Sequence, residues 1–134
     1  TGRGKLIING VKKNNIIFEA KNTFEGGFAA RSTCDQDFEV TVRGSGNLGK
    51  GNVWIGKNCT LIIGKDTVGV IENDKTLFLE VKGLKKDPQI RLNSDETVGA
   101  FFVNGKNMGP GPFSSTTHPK FIGGYKTLKI ERRK

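Results

Sequence analysis

Apolar and polar side chains alternate over short stretches along most of this chain. Phe38-Glu39-Val40-Thr41-Val42-Arg43 and Leu77-Phe78-Leu79-Glu80-Val81-Lys82 are the clearest cases. A period of two puts successive side chains on opposite faces of a strand, one turned to a core and one to water. No segment carries a sustained 3.6-residue apolar stripe, so nothing helical is expected beyond a single turn over 94–99, opened by Ser94. The pattern predicts strands over 5–8, 15–20, 27–32, 37–43, 52–55, 59–63, 67–71, 76–82, 89–92, 97–104, 120–122 and 126–132. Asn9-Gly10 and Asn104-Gly105 follow apolar runs and tolerate positive φ, so each predicts a hairpin. The stretch 107–119 is irregular and holds Pro110, Pro112, Pro119 and the single histidine, His118.

Many short strands joined by tight turns imply an all-β, single-domain chain over 1–134. The expected architecture is a β-sandwich or jelly roll of about ten to twelve short, mostly antiparallel strands. A coiled β-solenoid is the rival. Val53-Trp54-Ile55-Gly56 and Leu61-Ile62-Ile63-Gly64 repeat an Ile-Gly step, but the step does not recur elsewhere. A fixed internal period is the usual mark of a solenoid, and none is legible.

Composition sharpens this picture in two places. The 19 glycines among 134 residues supply the turns. The net charge of +9 is unevenly placed. Lys120, Lys126, Lys129, Arg132, Arg133 and Lys134 stand against Glu131 alone, so over half of it lies in the last fifteen residues. Elsewhere single lysines follow glycines, an ordinary way to keep sheet edges from pairing with other chains. The longest apolar run is a few residues, so no membrane-spanning helix is expected. No signal peptide is legible at Thr1, as holds for any mature, processed or excised chain. Cys34 and Cys59 are a candidate disulfide if neighbouring strands bring them together, and two thiols otherwise.

Candidate chemistry is sparse. Gly44-Ser45-Gly46-Asn47-Leu48-Gly49 spells a dinucleotide fingerprint, but Val53-Trp54-Ile55 follows where that site needs a helix. A turning loop lined by backbone N–H groups is the better reading, with Asn47, Lys50 and Asn52 as polar contributors. His118 has no evident carboxylate or nucleophile to work with. Asp35, Asp37 and Glu39 alternate, which is the solvent face of a strand before it is a glycosidase pair. No Cys/His/Asp/Glu spacing matches a metal site, and no cofactor is implied.

These residues support three readings. The first is a non-catalytic binding domain for a carbohydrate or similar polar ligand, held by Gly/Asn-rich loops with Trp54 or Tyr125 stacking on a sugar ring. The second is a self-assembling structural protein of a surface, appendage or virion, with homo-oligomer contacts. The third is a binder of nucleic acid or another polyanion through Lys126, Lys129, Arg132, Arg133 and Lys134. An extracellular or particle-surface setting suits the first two. An enzyme is less expected, for want of an acid–base constellation.

Overall fold

A computed structural model describes residues 6–10, 14–19, 26–32, 38–44, 46–56, 59–65, 67, 69–72, 74–80, 90–118 and 122–130. In chain order the strands are β1 (Leu6–Gly10), β2 (Asn14–Phe18), β3 (Phe28–Ser32), β4 (Phe38–Val42), β5 (Val53–Ile55), β6 (Cys59–Ile63) and β7 (Thr76–Leu79). They continue as β8 (Ile90–Leu92), β9 (Glu96–Val98), β10 (Ala100–Val103), β11 (Lys106–Asn107), β12 (Ile122–Gly124) and β13 (Leu128–Ile130).

The chain deals these strands alternately to different sheets. The first sheet runs β1-β3-β5-β7-β10-β11, the second β12-β8-β6-β4-β2, and a third pairs β13 with β9. All pairings are parallel except β10 with β11. Each strand therefore lies on the strand one circuit earlier, and the backbone winds as a coil. Partners on successive circuits fall 22 to 25 residues apart along the first sheet, and 24, 21, 29 and 32 apart along the second.

The all-β expectation holds, and the mostly antiparallel sandwich or jelly roll is overturned. Two-residue alternation says that one face of a strand is buried, and it is silent on the direction of the neighbour. Parallel sheets usually read as continuous apolar runs because helices cover both faces. Here the return path is another strand rather than a helix, so each sheet keeps a wet outer face and alternates. No period was legible because the circuits differ in length and their columns share only apolar character. Leu6, Phe28, Val53, Leu77 and Phe101 occupy one register position.

The core fills the lumen of the coil. Phe28, Val53, Leu77 and Phe101 form one buried column from the first sheet, and Ala30, Ile55, Leu79 and Val103 the next. Val40, Leu61, Ile90 and Ile122 do the same from the second sheet. Among the described residues, the third side forms no strand before β9. Leu48 is buried there and its amide donates to the carbonyl of Val70 at 2.9 Å.

Several local expectations change with the winding. Asn9-Gly10 makes no hairpin; Gly10 ends β1, whose partner is β3 in parallel. Asn104-Gly105 does turn the chain, with φ of 51° and 81°, and joins antiparallel β10 and β11. The described residues of 67–71 form no strand, and the single strand expected over 97–104 is broken at Gly99 into the end of β9 and β10. The candidate helical turn at 94–99 is occupied by β9. Among the described residues, no helix is long and apolar enough to cross a membrane.

Candidate functional site

Inward residues of the first sheet dictate what its outer face shows. In β7, Leu77 and Leu79 are buried, so Phe78 points outward. In β10, Phe101 and Val103 are buried, so Phe102 does the same. In β5, Val53 and Ile55 are buried and Trp54 is 42% exposed. Parallel register sets these side chains in line, giving a row Ile7, Ala29, Trp54, Phe78, Phe102. The indole of Trp54 stacks on Phe78 with centroids 5.4 Å apart and planes at 28°. Phe78 meets Phe102 at the same 5.4 Å, tilted by 39°.

Polar groups flank the row. Asn52 lies two residues before Trp54, and its Oδ1 accepts from the amide of Thr76 at 2.9 Å. That bond fixes the amide orientation and leaves Nδ2 as a donor at the exposed surface. Glu80 and Asn104, two residues after Phe78 and Phe102, lie just past the ends of β7 and β10 on the opposite flank of the row from Asn52. An apolar ring face beside amide and carboxylate groups is the arrangement that accommodates a sugar, whose C–H face stacks while its rim of hydroxyls takes hydrogen bonds.

The other expected site residues are spread around the molecule. Asn47 is half-buried, and its Oδ1 accepts from the amide of Gly49 at 3.2 Å, a local turn bond. The glycine-rich loop around it is packed into the third side of the coil rather than left open. Gly46, Leu48, Gly49 and Gly51 are all buried, while Lys50 is exposed. Tyr125 is 70% exposed at the corner between β12 and β13, on a different side of the coil from Trp54. The structure thus sets Asn52 beside Trp54 and does not gather Tyr125 with them.

Lys126 and Lys129 are exposed near that corner, and Lys129 lies 3.9 Å from Asp95. Arg132, Arg133 and Lys134 lie outside the described residues, as does Cys34. Cys59 is buried in β6. The amide of Ser114 donates to Thr117 Oγ1 at 2.9 Å, and His118 Nδ1 sits 2.9 Å from the same hydroxyl. That cluster closes a turn on itself. Among the described residues, no group of three or more His, Cys, Asp or Glu side chains could hold a metal ion.

Phe78 and Phe102 are the residues that sequence reasoning missed, because phenylalanine normally belongs to cores. The signal was present in strand parity. Both fall between buried neighbours, at the same 24-residue interval that separates Asn52 from Thr76.

No family model, curated protein or solved structure matches this chain.

Proposed function

We propose that this chain is a non-catalytic binding module that recognises a carbohydrate or similar polar ligand on the outer face of its first sheet, around Trp54. The observation that carries this reading is the in-line row Trp54, Phe78 and Phe102, partly exposed and bordered by Asn52. Burying such rings inside the coil would gain roughly 25 cal/mol for each Å² of apolar surface removed from water. Their placement outside is therefore a cost in stability, and a ligand that covers them recovers it. The rings sit on a sheet rather than on loops, which fixes their spacing before any ligand arrives.

The test is an oligosaccharide array followed by titration. Wild type should retain at least one glycan, and Trp54→Ala should lose at least tenfold in affinity with an unchanged circular-dichroism spectrum. An array without a hit, or a Trp54→Ala variant that binds as well as wild type, removes this reading.

A further inference from the structure

We propose that a notch at Ala29, between Ile7 and the indole of Trp54, is the subsite that takes one pyranose ring of a glycan. The proposal rests on the glycan reading above and names where on the sheet the sugar enters.

Register supplies the geometry. Ile7, Ala29 and Trp54 occupy one outward position on three successive strands. Neighbouring strands lie about 4.8 Å apart, so Ile7 and Trp54 are separated by roughly twice that, about 9.6 Å. Ala29 between them reaches no further than its Cβ. On the other side of Trp54 the row is closed, because Phe78 covers that face of the indole at 5.4 Å. The face toward Ala29 has no ring partner among the described residues. Ile7 is 51% exposed and forms the opposite wall. A saturated six-membered ring inserted over Ala29 would stand at about one strand spacing from each wall, the distance the row already uses.

Chemistry selects the occupant. The indole face carries negative quadrupole density, and the axial C–H hydrogens of a pyranose carry partial positive charge, so the two are complementary. Asn52 turns its Oδ1 to the amide of Thr76 on β7, on the far side of the indole from Ala29, so the indole face alone chooses the occupant.

Trp54 is the single tryptophan of the chain, so its emission reports on its own surroundings, the notch on one face and Phe78 on the other. The probes are the methyl β-glycosides of glucose, galactose and N-acetylglucosamine, each titrated into the full chain. At least one should shift the emission saturably with millimolar affinity, as suits so small a ligand. Ala29→Phe fills the notch by extending the row, and should lower that affinity at least tenfold while keeping the wild-type circular-dichroism spectrum. Ile7→Ala removes the far wall from an exposed position and should weaken binding several-fold, which serves if Ala29→Phe does not fold. No response to any of the three glycosides overturns the proposal. So does wild-type affinity in the folded Ala29→Phe variant or in Ile7→Ala, or a response to benzyl alcohol with none to the sugars. If an oligosaccharide from the array still binds Ala29→Phe normally and loses Trp54→Ala, the notch falls and the glycan reading stands.

Discussion

Glu96 is the charged side chain that the described core contains, at 2% exposure. It sits in β9, one circuit above a segment that forms no strand, and it does the work of the missing ladder. The amides of Val70 and Ile71 donate to its two carboxylate oxygens at 3.3 and 3.0 Å. Burial pushes its carboxyl from 4.5 up to about 7, and the two backbone donors only partly oppose this. The folded value exceeds the unfolded one, so the unfolded chain loses its proton first as pH rises. The stability this group contributes is then complete below about pH 4.5 and is lost as pH climbs to 7. At about 1.4 kcal/mol for each unit, the loss is about 3 kcal/mol. Glu96→Gln has no proton to lose, so the stability of wild type relative to the variant should fall by that order across this window. Urea melts at closely spaced pH values measure it, and a constant difference would contradict the burial argument. Ser94 plays a neutral version of the same part. Its Oγ accepts from the amide of Thr67 at 3.0 Å and donates to the carbonyl of Gly64 at 2.7 Å. Thr67 is fully buried, so Ser94→Ala strands a donor and should cost about 1–3 kcal/mol in the same melts.

Elements show most clearly what alternation can and cannot reveal. The inward positions Phe38, Val40 and Val42 of β4 are buried as their spacing implies, and Glu39 lies on the outer face, where Asn15 Nδ2 donates to it at 3.3 Å. Strand existence was legible at nearly every step because each strand has one wet face. Partner direction was not, because Phe38 meets Cys59 and Asn14 in parallel through contacts that local sequence does not encode. The glycine-rich run shows the same limit. Gly44 and Gly49 take positive φ of 63° and 83° to turn the chain, and Gly46 serves close packing: a Cβ on it would run into the carbonyl oxygen of Phe18, one circuit away. Gly46→Ala must displace backbone there and should cost about 1–3 kcal/mol, read as a lower denaturation midpoint with unchanged slope. The outward aromatics are a second case. Phe78 touches rings on both sides, so Phe78→Ala breaks two ring contacts worth about 0.5–1.5 kcal/mol each beyond area. It should also alter the emission of Trp54, the ring it stacks on.

At the scale of the whole molecule, a coil buries each circuit against the next, and its ends need covering. The stretch 107–118 that reads as loose loop provides that cover. Phe113 is 1% exposed and exchanges two backbone hydrogen bonds with Leu128, at 2.9 and 2.8 Å. Its ring packs edge-on against Phe101, the last residue of the buried column, at 5.0 Å, and against His118 at 4.9 Å. On the first sheet, β11 pairs with β10 and sets exposed Lys106 at the edge, where a charge discourages further strands. These devices close the end from which a second copy could otherwise continue the winding. Phe113→Ala removes a buried ring over the core and should cost about 3–5 kcal/mol. The uncovered column would then recruit apolar surface from another chain. Light scattering across a concentration series should show Phe113→Ala forming higher-mass species at concentrations where wild type keeps a constant mass. A variant that loses stability without gaining mass would mean that Phe113 fills the core but does not guard the end.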